Sequence, residues 1–477
     1  MGAPREARQL RPISFQAKRA MSPVGTKRYA SAAVRRVVNA AENCPWKTPR
    51  AALSGFLRAG AVLPARDLAR AMIHDPTCPA GPGIPFRERV ELICFALIIA
   101  QGVFLVAMYW QALWIVQPDG SIRASDFTYF WTAGRQVLAG NDAIICGPEV
   151  KATADPLLSH PPFFYPPTFL FVATALALFP YVSAYLGWVF ATFALYVAAI
   201  RVIVGHRIGV LLACGFPGVL STFMSGQNGF LTAALLGASL GLTERRPILA
   251  GCFLGLLTYK PQLGILFPLV LVVSGHWRML FAAAATSALI AAMSWGVFGL
   301  GSWEAFFRCL PEYSHMHLTN SGDHWAKMQS LFVVVRLLGG SEGLATAVHG
   351  IFVVLIALTL VVIWRSAASF AMKAAALAVG ALLATPYLFL YDMAALAVPL
   401  AFLVQEGRRT GFLPHEMSGI GVACLLVAIF PVVMGPVGLA AALVTALLIG
   451  RRIWAQHTGA ITPCVAAATA AYPKALR

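Results

Sequence analysis

The chain has 477 residues, of which 59% are hydrophobic and only 12% are charged, whereas a soluble globular domain usually carries about 25% charged residues. This composition excludes an ordinary soluble protein and predicts an integral membrane protein. The net charge of +17 would favour nucleic acid binding in a soluble protein, but its placement in the chain indicates a different role.

Residues 1–88 form the most basic segment of the chain. The first 90 residues contain sixteen Lys and Arg but five Asp and Glu, and no long apolar run. Positive charge next to a membrane is expected on the cytoplasmic side, and so polar a segment cannot bury a core. We therefore expect a disordered cytoplasmic arm over 1–88, a transmembrane domain over 89–455 and a short cytoplasmic tail over 456–477.

Thirteen continuous apolar segments follow the basic arm and predict helices, because helices satisfy their own backbone in lipid. Their approximate ranges are 92–116, 166–180, 184–204, 208–224, 228–243, 248–259, 261–275, 279–300, 343–364, 374–390, 393–405, 417–434 and 436–450. The segment 166–180 is short and flanked by Pro166, Pro167 and Pro180, so we do not expect it to cross fully. This predicts an all-α polytopic membrane protein with about 12 transmembrane helices and both termini in the cytoplasm.

Two longer polar loops, 117–165 and 301–329, are predicted on the outer side, and we expect both to carry short amphipathic helices. Cys146 lies in the first loop and Cys309 in the second. These two cysteines could form a disulfide if the loops face an oxidising space.

In this topology six polar features fall on the outer side of the membrane. They are the loop around Asp126, "SHPPFFYPP" (159–167), "SGQNG" (225–229), "TYKPQ" (258–262), the loop 301–329 and "PYLFLYD" (386–392). Polar residues that converge at one end of a bundle suggest a binding site. No Asp or Glu lies inside an apolar segment, which disfavours an ion-coupled transporter but leaves a lipid flippase open.

Asp126 stands in front of an aromatic-rich stretch, "FTYFWTAGRQVLA" (127–139). Its apolar residues recur at helical spacing, which predicts a short amphipathic helix on the membrane surface with Asp126 or Ser125 at the N-cap. A helix N-terminus favours an ionised carboxylate, so Asp126 could act as a general base toward an attacking hydroxyl. The alternative is that Asp126 only caps the helix.

Three of the other motifs offer candidate substrate-binding residues. Lys260 in "TYKPQ" lies on the outer side, where an unpaired lysine is disfavoured. A lipid-linked phosphate would give it a partner. The alternative is that its side chain only extends to the membrane–water interface. Gln227 and Asn228 in "SGQNG" could bond sugar hydroxyls or phosphate, or form a turn with Asn228 at positive φ. Tyr165 could stack on a sugar or only belong to the interfacial aromatic belt.

The stretch "HMHLTNSGDHWAKMQS" (315–330) carries His315, His317, Asp323 and His324. This set fits a metal site poorly, and we expect neither a metal ion nor another cofactor; His324 could instead contact a phosphate or move a proton. Asp392 in "LFLYDMAAL" (388–396) is either a helix cap or a second candidate base or sugar ligand.

The order of these short motifs resembles that of glycosyltransferase family 87. The motifs are "SDF" with an aromatic helix ending in "AG", then "YPP", "GQN", "KPQ" and "QSL", spread over about twelve helices. Family 87 comprises bacterial enzymes of the GT-C fold, related to polyprenol-phosphate-mannose-dependent mannosyltransferases. The resemblance covers roughly residues 90–450, and the long basic arm departs from the usual plan of the family.

The resemblance implies an enzyme of the bacterial inner membrane. Such enzymes move a sugar from a polyprenyl-phosphate donor to a lipid or glycan acceptor on the outer side, with inversion and with a carboxylate of the first outer loop as base. That carboxylate matches Asp126, and the resemblance places Lys260 near the donor phosphate and Gln227 in the pocket. The looser matches are His324, Gln329 and Asp392.

Two other functions remain open from the sequence. A flippase or permease for polyprenyl-phosphate sugars would use the same polar side as a vestibule, with Asp126 as a cap. A non-catalytic assembly subunit would use the polar motifs only as helix breaks. A new glycosidic bond distinguishes the enzyme from both.

The basic arm lies away from all of the proposed site motifs. We therefore predict that deletion of residues 1–80 preserves sugar transfer. The measurement is transfer of radiolabelled sugar from polyprenyl-phosphate sugars to endogenous lipid acceptors in isolated membranes. Complete loss of transfer in a folded truncated protein would contradict this expectation.

Overall fold

The described part of the protein is almost entirely helical. The structure, a computed structural model, describes residues 86–123, 125–140, 163–205, 207–319 and 322–459. Within these ranges the backbone forms helices and two isolated β-bridges but no strand, which confirms the all-α prediction for this part of the chain. The predicted basic arm and tail lie outside the described residues, apart from those that begin the first helix and end the last one.

In the first half of the described chain, two long helices are separated by short ones. In chain order the helices are α1 (Phe86–Trp110), α2 (Phe127–Leu138), α3 (Leu170–Ala177), α4 (Tyr181–Val204), α5 (Ile208–Gly215), α6 (Gly218–Ser225), α7 (Gly229–Leu242), α8 (Pro247–Leu256), α9 (Pro261–Gly264) and α10 (Phe267–Val273). The 3-10 turn Pro167–Phe169 leads into α3, and the turn Leu257–Tyr259 follows α8.

The second half contains the longest helix and the most deeply buried ones. Its helices are α11 (Trp277–Thr319), α12 (Gly322–Lys327), α13 (Leu331–Leu337), α14 (Glu342–Arg365), α15 (Phe370–Ala384), α16 (Ala397–Thr410), α17 (Glu416–Ala428), α18 (Phe430–Val433) and α19 (Val437–His457). The 3-10 segment Leu390–Leu396 runs directly into α16, and we call this segment the strap.

Each of the thirteen predicted apolar segments contains helix in the structure, although 208–224, 261–275 and 417–434 are each divided into two helices. Six helices of the described ranges are long and apolar enough to cross a membrane: Val90–Trp110, Tyr181–Val204, Trp277–Pro311, Glu342–Arg365, Leu390–Thr410 and Val437–His457. The pair α5 and α6, bent by 60°, would make a seventh span, and the other apolar helices have 10–17 residues. These helices indicate a multi-pass membrane protein, while the count of twelve crossings stays a prediction.

The second predicted outer loop, 301–329, is largely helical where the structure describes it, and its position outside the membrane stays a prediction. Residues 301–319 continue α11 beyond a kink at Gly299, whose φ is 76°. Phe306 and Cys309 on this stretch are buried, whereas Glu304 and Arg308 are exposed. The charges that indicated a loop therefore lie on the exposed side of an amphipathic helix.

The cysteines divide into two groups. Cys94, Cys214, Cys252 and Cys424 are free thiols in apolar helices, as expected for small core residues. Cys309 is disulfide-bonded. Cys146 lies outside the described residues, so the pairing of Cys146 with Cys309 stays a prediction.

The strap lies at the centre of the described helices, together with the almost fully buried α15 and α16. Glycines at the first positions of two helices let their backbones approach it. A Cβ at Gly229 would lie 2.1 Å from the carbonyl oxygen of Tyr391, and one at Gly218 would lie 3.1 Å from the amide nitrogen of Ala394. The strap therefore fixes where α6 and α7 begin.

The amphipathic helix predicted for 127–139 is present as α2 and buries one face. It packs on α3 so closely that a Cβ at Gly134 would lie 2.0 Å from the carbonyl oxygen of Ala173 and 2.7 Å from the Cβ of Ala177. Because that oxygen belongs to the backbone, no side-chain rotation can make room.

We predict that Gly134→Ala destabilises the protein by about 1–3 kcal/mol, the usual cost of overpacking a tight contact. Thermal unfolding of the purified protein in detergent measures the change. Gly187→Ala is the matched control, since a Cβ at Gly187 in α4 would have no atom within 4 Å. Equal unfolding temperatures of the two variants would contradict the proposed tight contact.

Candidate functional site

One cavity of about 1180 Å³ collects residues from all six polar features of the sequence. Each feature contributes at least one side chain to its wall: Asp126, Tyr165, Gln227, Lys260, Lys327 and Asp392. Five of these are candidate site residues identified from the sequence. The polar motifs, which are far apart in the chain, therefore face one common space.

Asp126 occupies the N-cap position of α2, but its side chain makes no capping hydrogen bond. The start of the helix is tied by Ser125 and Thr128 instead: the Thr128 amide donates to the Ser125 carbonyl at 2.9 Å, and the Ser125 amide donates to the Thr128 hydroxyl at 3.1 Å. Asp126 is half-buried and lines the cavity. The structure therefore shows no side-chain hydrogen bond that would support a purely capping role for Asp126.

Aromatic side chains hold the helix that follows Asp126. Phe127 and Phe130 are fully buried. The ring of Phe127 meets the edge of Tyr181 at 5.3 Å between centroids, and the ring of Phe130 meets Phe169 at 5.1 Å. Edge-to-face pairs of this kind contribute about 0.5–1.5 kcal/mol each beyond their buried area. Asp126 is therefore presented at the end of a rigidly packed element.

Two tyrosines in the cavity wall respond to the carboxylates. Burial, together with the negative charge of Asp126, raises the pKa of Tyr129 to about 12. The pKa of Tyr313 is also raised, chiefly by burial, with smaller effects of Tyr387, Tyr129, Asp392 and Asp126. Ionisation of either phenol is therefore disfavoured further, and the charges of Asp126 and Asp392 both contribute to this effect at Tyr313.

Lys260 and Asp392 form a buried ion pair. The Lys260 ammonium lies 2.5 Å from Oδ1 of Asp392, both side chains are at most 5% exposed, and the ammonium lies 4.9 Å from the ring centroid of Tyr391. The other carboxylate oxygen of Asp392 accepts a hydrogen bond from the Phe389 amide at 3.3 Å. Sequence reasoning treated Lys260 and Asp392 as separate candidates, because they are 132 positions apart in the chain.

The "SGQNG" loop joins Gln227 to Tyr165. The Tyr165 hydroxyl donates to Oε1 of Gln227 at 3.1 Å, and both side chains line the cavity. The turn expectation for this loop was wrong in one respect: Gly226 takes the positive φ of 66°, whereas Asn228 has a φ of −85°. Gly226 is required there also because Tyr185 and Phe127 leave no room for a Cβ.

Two predicted residues lie behind the cavity wall rather than in it. Asn228 is fully buried, and its side-chain amide has no hydrogen-bond partner in the described part of the chain. Gln329 is also fully buried; its Oε1 accepts from the Gly438 amide at 2.7 Å and its Nε2 donates to the Lys327 carbonyl at 3.2 Å. Gln329 therefore connects α12 to the start of α19, and its full burial keeps its side chain out of the cavity.

The histidine-rich stretch is only partly described. His324 lies in α12, but its side chain, like those of His315, His317 and Asp323, lies outside the described residues. The predicted role of His324 and the expectation about a metal therefore stay predictions.

Arg123 and Lys327 also line the cavity, and sequence reasoning missed both. Arg123 stands three residues before Asp126, in a loop predicted to face the outer side. The argument that singled out Lys260 applies equally to it, because a positive charge is disfavoured on that side unless it has a partner.

Apolar side chains line the same cavity as the polar ones. Seven of them come from α1, α6, α17, α18 and the residue directly after α18: Leu97, Ala100, Phe104, Leu220, Val427, Phe430 and Met434. Phe104 and Met434 are 43% and 53% exposed. Part of the apolar lining is therefore exposed, which suits contact with lipid.

The sequence model of glycosyltransferase family 87 matches residues 163–386. This match confirms the family resemblance over that part of the chain and indicates a membrane glycosyltransferase. The matched range contains Tyr165, Gln227 and Lys260, whereas Asp126 precedes it and Asp392 follows it. No curated protein and no solved structure matches the chain significantly.

We predict that Lys260→Met destabilises the protein by about 3–5 kcal/mol, because it leaves Asp392 as a buried carboxylate without its counter-ion. The double variant Lys260→Met with Asp392→Leu should recover most of this loss, since it removes both charges. Equilibrium unfolding of purified protein measures both values, with Lys327→Met as an exposed control. A double variant as unstable as Lys260→Met would contradict the proposed coupling.

Proposed function

We propose that this chain, which matches the model of glycosyltransferase family 87 over residues 163–386, is a glycosyltransferase that uses a polyprenyl-phosphate sugar as donor. The sugar would be a mannose-like hexose or a pentose, and the acceptor a lipid or glycan. Transfer would occur with inversion on the outer side of a bacterial inner membrane. No metal ion or other cofactor is part of the proposal.

The mixed lining of the cavity is the observation that carries this proposal. A polyprenyl-phosphate sugar combines a polar, anionic head with a long hydrocarbon chain. The cavity offers the polar side chains Asp126, Lys260, Arg123 and Gln227 together with apolar side chains of α1, α6 and α17. A nucleotide sugar has no hydrocarbon chain for such apolar side chains to bind, so the composition of the lining favours a lipid-linked donor.

Asp126 is the base in the proposed reaction. It accepts the proton of the acceptor hydroxyl while the hydroxyl oxygen attacks the anomeric carbon. The bond from that carbon to the phosphate oxygen breaks, and its electron pair leaves with the polyprenyl phosphate. Attack from the face opposite the leaving group inverts the configuration. Asp392 is less suited to this role, because Lys260 and the Phe389 amide already occupy its oxygens.

Lys260 is proposed to lie near the donor phosphate. Asp392 holds the ammonium in place from one side, and the Tyr391 ring lies 4.9 Å from it. A lysine acts on phosphate as a point charge with three rotatable donors, so it can keep Asp392 and still donate to an oxygen of the substrate. Gln227 and Tyr165 are hydrogen-bonded to each other, and in this proposal both contact the sugar of the donor.

The proposal is tested by transfer of radiolabelled sugar from a panel of polyprenyl-phosphate sugars to endogenous lipid acceptors in isolated membranes. We expect Asp126→Asn to lower transfer by about 10²–10⁴-fold, the usual effect of removing a general base. Asp119→Asn is the matched control, because Asp119 is an exposed carboxylate of the preceding loop whose Oδ1 accepts from the Ser121 amide.

Both membranes must contain equal amounts of protein. Equal transfer by wild type and Asp126→Asn would remove Asp126 as the base. A wild-type protein that transfers sugar from no donor of the panel would contradict the enzyme and favour a carrier of lipid-linked sugars.

A further inference from the structure

Arg123 is a cavity-lining cation that forms no ion pair within the described part of the chain. Three cations line the cavity: Arg123, Lys260 and Lys327. Asp392 neutralises Lys260 at 2.5 Å, whereas Arg123 has no ion pair within the described part of the chain. The pair of Lys260 and Asp392 therefore adds little net charge, and an anion in the cavity needs another cation.

The loop before α2 holds Arg123 in a fixed position. Val116 and Ile122 form an antiparallel bridge, and the Arg123 amide donates to the Ile115 carbonyl at 2.8 Å. Ile115 and Ala112 have φ values of 63° and 54°, which non-glycine residues rarely adopt. Backbone strain of this kind persists only where surrounding contacts impose it, and it is common at ligand sites.

The guanidinium group of Arg123 is only partly used by the protein. Its Nη2 donates to the Ala112 carbonyl at 3.3 Å, and this bond anchors the side chain at Ala112, one of the two residues with positive φ. Its Nε is buried and has no hydrogen-bond partner in the described chain. A buried donor without an acceptor costs about 1–3 kcal/mol, so a small movement of the side chain that brings this group to a ligand oxygen would be favourable.

We propose that Arg123 binds the phosphate of the lipid-linked donor, an inference that rests on the proposed function. The donor is a phosphodiester with one negative charge, and the leaving polyprenyl phosphate is a monoester that gains a second charge as the bond to the sugar breaks. A guanidinium group matches two phosphate oxygens at once. Arg123 therefore stabilises the leaving group, while Lys260 positions it.

Lys327 is less suited to this role than Arg123. It is exposed to solvent, where water screens its charge. Arg123 is half-buried and lies within three residues of Asp126, so the phosphate it binds would leave the sugar close to the proposed base.

The experiment measures binding of geranyl phosphate, a short prenyl phosphate monoester, to purified full-length protein by calorimetry, with geraniol as the uncharged reference. We expect Arg123→Gln to weaken binding by about 10–100-fold, as for a lost hydrogen-bonded charge contact, and Arg123→Lys to lie between it and the wild type. The control is Arg135→Gln, because Arg135 is exposed on α2 and contacts Trp131.

Three results would overturn the inference. The first is a dissociation constant for Arg123→Gln within about twofold of the wild type, which is the scatter expected for a residue without a direct contact. The second is the absence of saturable binding of geranyl phosphate to the wild type. The third is a larger loss of binding in Lys327→Gln than in Arg123→Gln, which would move the phosphate site to Lys327.

A second measurement uses the wild type and so tests the inference even if Arg123→Gln fails to fold. In the wild type, phenylglyoxal labelling of Arg123, read by mass spectrometry, should be blocked by geranyl phosphate but not by geraniol. Unchanged labelling would contradict the inference. Failure of the proposed function can be distinguished from failure of this inference. If binding of geranyl phosphate depends on Arg123 but the wild type transfers no sugar, the phosphate site is supported and the enzymatic function is contradicted.

Discussion

The buried pair of Lys260 and Asp392 is the interaction on which the rest of the site depends. It joins the break between α8 and α9 to the strap. Two charges in a poorly solvated interior are stable only together, so the pair fixes the relative position of these two elements. The strap in turn sets the start of α7 through the contact of Gly229 with Tyr391, and the residues before α7 present Gln227 to the cavity.

This arrangement separates two tasks that both need polar groups in an apolar protein. Lys260 and Asp392 satisfy each other, so the fold does not require a ligand to balance them. Asp126 and Arg123 lie on elements outside the strap, α2 and the loop before it. The structure can therefore keep its centre neutral while charges that face the cavity stay available for chemistry.

Much of the fold could be predicted from hydrophobicity alone, because each of the thirteen apolar segments contains helix. Their number of crossings could not, since helices such as α9 and α10 are too short to be assigned by length. The polar motifs were found from the sequence because they interrupt apolar runs. The ion pair was not, because nothing local in "TYKPQ" indicates a partner 132 residues away.

The apolar side chains of Phe104, Val432 and Met434 are exposed, and this bears on how the concentration of the donor should be expressed. In the proposed function the hydrocarbon tail of the donor stays among lipid tails while its head enters the cavity, so the donor arrives by diffusion within the plane of the membrane. The saturating quantity is then the mole fraction of donor among the lipids rather than its amount per litre. Adding inert lipid at constant total donor would slow the reaction by dilution in two dimensions.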